Sequence, residues 1–189
     1  MGRSEEAIPQ AKRAVALEPL NLKYNDTVGV MYRDAKQYDE AIESFKKTLE
    51  MDPNYPPSNG NLGYTYQLTQ HYDLWLEQWK KAASLIDDHE DIAIAEETAR
   101  AYSKSGYQAA IKKYIELQLQ LTKRRYVDPA DIAANYADVG DRDQAFAWLQ
   151  KAYLEKSNNL SYIKVMPQLD GLRSDPRYAA LLKKMGLPQ

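Results

Sequence analysis

The chain has 189 residues, of which 44% are hydrophobic and 28% charged, a balance that argues against disorder and allows one or two units with their own core. Lysine and arginine total 25 against 27 acidic residues, so the net charge of -2 offers no cationic excess for nucleic acid or an anionic membrane. There is no cysteine, which excludes disulfides, thiol catalysis and thiolate metal sites. Charges interrupt the N-terminus and no apolar run reaches the length of a membrane helix, so we expect a cytoplasmic protein.

The first predicted element is an amphipathic helix that ends before Pro19. Ala7, Ala11 and Ala14 recur at helical spacing, but no helix precedes them to form a pair. We therefore expect residues 1–20 to be the second half of a repeat. Its apolar face would be covered either by the rest of a longer protein or by a neighbouring molecule.

The following elements repeat with a period of 34 residues. Pro19 and Pro53 have this separation, and the same separation relates five further pairs: Gly29 and Gly63, Tyr32 and Tyr66, Tyr38 and Tyr72, Ala41 and Trp75, Phe45 and Trp79. Each period, residues 21–54 and residues 55–88, predicts a pair of helices. Glycine inside a helix costs about 1 kcal/mol, so close helix contacts are expected at Gly29 and Gly63, and at the small Ala41.

This pattern resembles the tetratricopeptide repeat (TPR) consensus of Leu-Gly, Tyr, Ala, an aromatic residue, Ala and Pro. The resemblance implies an all-α fold, a right-handed α-solenoid of TPR helical hairpins. Trp75 takes the place of a small alanine, and Asp87 takes the place of the closing proline. We therefore expect a widened and locally irregular junction after the second full repeat.

A third and less regular repeat is predicted over residues 89–125. A fourth, over residues 126–157, begins with Asp128 as helix N-cap and Pro129 at the first helical position. The TPR array thus covers residues 1–157. Residues 158–189 contain an irregular segment and a helix from Pro176, which we expect to be a C-terminal capping helix over the last apolar face.

The last third of the chain carries a narrower resemblance. The stretch YVDPADIAANYADVGDRDQAFAWLQKAYLEK and the later LRSDPR are similar to the closing segment of TPR regions in bacterial multidomain signalling regulators. Those proteins place the region behind a winged-helix, nucleotide-cyclase or kinase domain. The resemblance implies a sensory or regulatory C-terminal module of a larger signalling enzyme or transcription regulator.

The sequence offers no catalytic motif. It has no Ser/His/Asp grouping, HExxH motif, phosphate-binding loop or dinucleotide fingerprint, so we assign no catalytic, cofactor-binding or metal residue and predict that the chain is not an enzyme. His89 lies among loop carboxylates that cannot all point inward, and we interpret it as solvated. Trp75 and Trp79 lie four residues apart; we expect core packing rather than an exposed aromatic patch.

In the TPR family the first helices of the repeats line a concave groove. The resemblance places nine residues on this predicted peptide groove: Lys23, Asp26, Val30, Arg33, Asn61, Tyr64, Gln67, Glu96 and Arg100. The leading hypothesis is a non-catalytic scaffold that binds a protein or peptide there. The alternatives are the regulatory module above and a self-assembly module, in which the unpaired N-terminal helix forms a homo-oligomer.

One known TPR mode is not expected. TPR domains that capture the carboxylate at the end of a heat-shock chaperone use a clamp of Lys, Asn, Asn, Lys and Arg. Asn61 falls on such a position, but Asp26 and Val30 occupy positions that would need Lys and Asn. An anionic peptide end would be repelled by Asp26.

Overall fold

The computed structural model describes residues 4–187, which contain α-helices and 3₁₀ helices and no β-strand. The α-helices are α1 (Ser4–Leu17), α2 (Leu22–Asp34), α3 (Tyr38–Met51), α4 (Pro56–Leu68), α5 (Tyr72–Leu85), α6 (His89–Leu121), α7 (Pro129–Asp138), α8 (Arg142–Leu154) and α9 (Pro176–Lys184). The segment predicted to be irregular contains two 3₁₀ helices, Asn159–Tyr162 and Pro167–Leu172. The predicted all-α class is confirmed.

The described residues divide into two compact units, and the boundary in the chain falls between Arg100 and Ala101. In the first unit each helix packs on its neighbour in sequence from α1 to α5, and α2 also contacts α4. In the second unit α7 packs on α8 and contacts both 3₁₀ helices, and α8 contacts the first 3₁₀ helix and α9. The exact repeat boundaries given above stay predictions.

Helix boundaries follow local sequence signals. The helices α1 and α3 end at Leu17 and Met51, each two residues before a proline, which lacks the amide donor that would continue the helix. Four helices are capped by a side chain that accepts a hydrogen bond from a first-turn N–H: Asn21 on α2, Asp128 on α7, Asp141 on α8 and Asp175 on α9. The predicted N-cap at Asp128 and the predicted helix from Pro176 are thus confirmed.

The core of the first unit depends on two glycines. A Cβ atom added to Gly29 would lie 2.5 Å from Cε1 of Phe45, whose ring is fully buried on α3. At Gly63 an added Cβ would lie 3.1 Å from Cβ of Gln78 and 3.4 Å from the backbone oxygen of Trp75 on α5. Both helix pairs therefore approach closely at these glycines, as the repeat predicted. Ala41 is fully buried as well.

The turns of this unit repeat even though no glycine occupies them. Lys36 ends the α2–α3 turn with φ 61°, and Gln70, 34 residues later, has φ 64° in the α4–α5 turn. Asp87, which stands where a proline was expected, has φ 56° after α5. Left-handed backbone costs a non-glycine residue roughly 1–2 kcal/mol, so packing of the flanking helices holds these turns.

The glycine contacts give a stability prediction. Gly29→Ala forces a methyl group into the Phe45 ring, an overpacking cost of roughly 1–3 kcal/mol that exceeds the gain in helix propensity of about 1 kcal/mol. We expect a lower free energy of unfolding in urea. Gly60→Ala in α4 is the matched control: its nearest atom would be Cβ of Ala82 at 3.9 Å, so this variant should be stabilised by about 0.5–1 kcal/mol. If both substitutions changed the free energy of unfolding in the same direction, the close contact between Gly29 and Phe45 would be contradicted.

In the second unit one hydrophobic core joins the last helical hairpin to the C-terminal elements. Alanines dominate its hairpin side, and Leu160, Ile163, Leu169, Leu172 and Leu182 are contributed by the residues that follow α8. Ile163 and Leu169 are fully buried. Buried side chains from residues 160–182 thus pack against the apolar faces of α7 and α8, and the C-terminal cap over residues 158–189 stays a prediction.

The helix α6 is interrupted at Gly106, which has φ 75° and ψ -174°. This backbone region is essentially accessible to glycine alone. Beyond the break, the Tyr107 hydroxyl donates a hydrogen bond to a carboxylate oxygen of Asp138 at the end of α7. The break thus determines where the second segment of α6 contacts α7.

Backbone strain at this break can be measured. Gly106→Ala adds a Cβ with no atom within 4 Å, so any loss of stability comes from the backbone conformation and should reach about 1–3 kcal/mol. Gly171→Ala, which is equally open but lacks a positive φ, should change the free energy of unfolding by less than about 0.5 kcal/mol. Equal effects in urea unfolding would rule out the strain.

A polar network attaches the C-terminal elements to the start of α7. Asn159 Nδ2 donates to both carboxylate oxygens of Asp131, at 2.9 and 3.0 Å. Asp128 caps α7 and also accepts from the Ser157 hydroxyl. Burial raises the pKa of Asp131 to about 6; the hydrogen bond from Asn159 opposes this shift, and the nearby Asp128 carboxylate adds to it.

The raised pKa makes stability depend on pH. The folded state binds the Asp131 proton more tightly than the unfolded state, so the free energy of unfolding should fall as pH rises from about 4 to about 6. Asp131→Asn cannot ionise, and its amide oxygen can still accept from Asn159. We expect the variant to be about 1–2 kcal/mol more stable than the parent at pH 7 and nearly equal to it at pH 4. If the difference in stability between Asp131→Asn and the parent did not change with pH, ionisation of Asp131 would be excluded as its cause.

Candidate functional site

The predicted groove residues lie on three helices. One stripe of α2 contains Lys23, Asp26, Val30 and Arg33, at spacings of three and four residues. The others are Asn61, Tyr64 and Gln67 on α4, and Glu96 and Arg100 on α6. Because α2 contacts α4, side chains of the first two sets can meet.

Four of these residues come together, and we call them the α2–α4 face: Asp26, Arg33, Asn61 and Tyr64. Asn61 is the centre: its Nδ2 donates to the Asp26 oxygens at 3.2 and 3.1 Å, and its Oδ1 accepts from Arg33 Nη1 at 2.8 Å. The Arg33 guanidinium lies 5.1 Å from the centroid of the Tyr64 ring, within cation–π distance. The amide of Asn61 thus links an acid and a base from the same helix.

Two partners of this face were not predicted. The Ser58 hydroxyl donates to Asp26 Oδ1 at 2.7 Å, and Ser58 is fully buried. Ser58 precedes Asn61 by three residues on α4, so helical spacing alone could have indicated it. The second is Asp34, which accepts from Arg33 Nη2 at 3.2 Å.

The charged side chains at the α2–α4 face are largely buried, whereas its amide and its aromatic ring are partly exposed. Asp26 is only 8% exposed, and its carboxylate is stabilised by hydrogen bonds rather than by an adjacent cation. The side chains of Arg33 and Asp34 are 12% and 10% exposed. Burial raises the pKa of Asp34, although the charge of Arg33 opposes the shift. Asn61 and Tyr64 remain partly exposed, so solvent reaches the amide and the ring.

The other five predicted groove residues have different surroundings from the α2–α4 face. Lys23 is exposed, Val30 is half-buried and Gln67 is 9% exposed. Glu96 pairs with Lys80 of α5, whose hydrogen bond and charge hold the pKa of Glu96 below its usual value. Arg100 pairs with Glu97 one turn away, at 2.6 Å. Glu96 therefore pairs across to α5, whereas Arg100 pairs within α6.

The tryptophan pair is mostly structural. Trp75 is 4% exposed, and its ring lies parallel to that of Trp79 with centroids 5.7 Å apart. The Trp79 Nε1 donates to Asp91 Oδ2 at 2.8 Å. Core packing of Trp75 agrees with the expectation from its spacing. His89 is exposed near Asp87, also as expected.

Within residues 4–187, no three His, Cys, Asp or Glu side chains come together as metal ligands. None of the helices in this range combines the length and apolar character needed to span a membrane.

Residues 28–55 match the family model of the tetratricopeptide repeat. This range contains Gly29, Ala41 and Phe45, the residues that make the close α2–α3 contact. The described residues therefore form an all-α arrangement of helical hairpins, in which the segment 28–55 is similar to a tetratricopeptide repeat. No curated protein matches the chain at a significant level.

Solved structures with similar helical arrangements include MamA. It has 21% identity and a TM-score of 0.48, over 82% of this chain and 90% of that one. A chain of the APC/C hetero-tetramer Cut9–Hcn1 has 18% identity and a TM-score of 0.44, over 97% of this chain and 46% of its own length. The fold assignment rests on the helices themselves and on the repeat match.

Proposed function

We propose that this chain is a non-catalytic scaffold that binds a protein segment on the α2–α4 face. The observation that supports it is the pair of hydrogen-bonded contacts that Asn61 of α4 makes with Asp26 and Arg33 of α2. Asn61 itself stays partly exposed to solvent. Tetratricopeptide repeats commonly present such first-helix side chains to peptides, and the match at residues 28–55 includes most of α2.

The chemistry of the face suits a peptide. A peptide carries one N–H donor and one carbonyl acceptor per residue, and the partly exposed Asn61 amide contains both complementary groups. Hydrogen bonds from Asn61 to Asp26 and from Arg33 to Asn61 fix the orientation of that amide before any ligand arrives, which lowers the entropy cost of binding. The Tyr64 ring adds a flat apolar contact beside a guanidinium.

Peptide selection tests this proposal. Peptides selected by phage display on the full chain would be labelled and titrated by fluorescence anisotropy against two variants, Tyr64→Ala and Asn61→Ala. We expect each variant to raise the dissociation constant at least about tenfold, because truncating an aromatic anchor typically costs 2 kcal/mol or more. Circular dichroism would confirm that both variants keep their helices.

The matched control is Lys46→Ala, an exposed residue on α3 away from the α2–α4 face. It should leave the dissociation constant within about twofold. If the selected peptides bind the Tyr64 and Asn61 variants as tightly as the parent chain, the face is not the binding site. Failure to select any saturable binder would reject the peptide-binding function itself.

The two alternative functions stay predictions. A regulatory C-terminal module would suit residues 128–187, where the network of Asp128, Asp131 and Asn159 attaches the C-terminal elements to α7. Self-assembly through α1 would require a partner surface for Leu17, whose side chain is 78% exposed.

A further inference from the structure

A second surface lies in the other compact unit, between α8 and α9. A groove of about 330 Å³ separates these helices. The α9 side presents Arg177, Ala180, Leu181 and Lys184, which follow the i, i+3, i+4, i+7 pattern of one helix face. Phe146 and Ala147 face them from α8.

The two helices run side by side in the same direction. Arg177 Nη1 donates to Asp143 Oδ1 at 2.8 Å in the first turns, and Lys184 Nζ donates to Gln150 Oε1 at 3.2 Å towards the other end. Both bonds join residues 34 apart, so each end of the groove is closed by a hydrogen bond while its middle stays open.

Small side chains keep the middle of the groove open. Phe146 and Leu181 are 8% and 5% exposed and form an apolar floor. Ala147 and Ala180 are exposed on the two walls, and their methyl groups are too short to fill the space between the helices. The groove therefore offers an apolar strip with solvent above it.

The charges at the two ends of the groove differ. Asp175 holds the Arg177 guanidinium through Nε at 3.0 Å and Nη2 at 2.8 Å, and the guanidinium lies 4.2 Å from the Phe146 ring centroid. Lys184 instead donates to a neutral amide, and among the described residues its ammonium group forms no ion pair. A ligand would gain most from a carboxylate placed on Lys184.

We propose that the α8–α9 groove binds an acidic amphipathic helix of a partner protein. Arg177 and Lys184 are separated by seven residues, about 10.5 Å along the α9 axis. A helix lying along the groove needs a carboxylate only at the Lys184 end, because Asp143 and Asp175 already engage Arg177 and would repel a second carboxylate; its two apolar residues lie over the middle of the groove. The apolar pair rests over Ala147 and Ala180, and one carboxylate pairs with Lys184.

A designed peptide tests the proposal on the full chain. The probe is a labelled alanine-rich helical peptide with two leucines on one face and one glutamate a turn beyond them, to meet Lys184; its analogue carries a lysine in place of the glutamate. We expect saturable binding of the acidic peptide and at least about tenfold weaker binding of the basic one. Lys184→Glu should raise the dissociation constant of the acidic peptide about tenfold or more, as should Ala180→Phe, which fills the groove.

The control variant is Lys183→Glu, which makes the same charge change one residue away and outside the groove lining. It should alter binding less than about threefold at physiological salt, where charges act over about 8 Å. Equal loss in the Lys183 and Lys184 variants, or equal binding of both peptides, would overturn the proposal. So would self-association in sedimentation that Ala180→Phe abolishes, because the occupant would then be a second copy of this chain.

Discussion

The close approach of helices at glycine is the constraint on which the first unit depends. Phe45 fills the space that a side chain at position 29 would take, and a Cβ at position 63 would lie only 3.1 Å from Cβ of Gln78 on α5. Helix axes separated by ordinary side chains are about 8–10 Å apart, and glycine permits the lower end of that range. The contacts made along both helix pairs offset the conformational cost of each glycine.

This spacing has a consequence for the polar surface. Since α2 and α4 each pack closely on the helix that follows, they also come into contact with one another, and Asp26 becomes buried between them. A buried carboxylate without partners would be strongly unfavourable. Ser58 and Asn61 supply the needed donors, and the side-chain oxygen of Asn61 accepts a hydrogen bond from Arg33. The orientation of the α2–α4 face is therefore a product of core packing.

The sequence predicted those features that depend on local chemistry or on periodicity. The 34-residue period located Gly29, Gly63 and Ala41, and the cap residues located the start of α7 and α9. Left-handed turns at Lys36 and Gln70 were not predictable, because their residue types carry no preference for that conformation.

The candidate site was only partly predictable for a related reason. Helical spacing tells which residues share a face, but not which of them bond to each other. It assigned Asp26 and Arg33 to one helix and Asn61 to the first helix of the next repeat, but it could not show that these three side chains are hydrogen-bonded to one another. Glu96 and Arg100 show the opposite outcome, since Glu96 pairs with Lys80 of α5 and Arg100 pairs with Glu97 on its own helix.

Alanine has two opposite effects in this chain, and burial decides between them. On buried faces Ala41 and Ala145 are fully enclosed, and their small size brings helices together. On exposed faces Ala147 and Ala180 leave space between α8 and α9 that a larger side chain would occupy. Composition and residue spacing alone do not distinguish the buried alanines from the exposed ones. A surface groove can therefore arise from the residue type that packs the core, and its charged ends then determine what kind of helix could fill it.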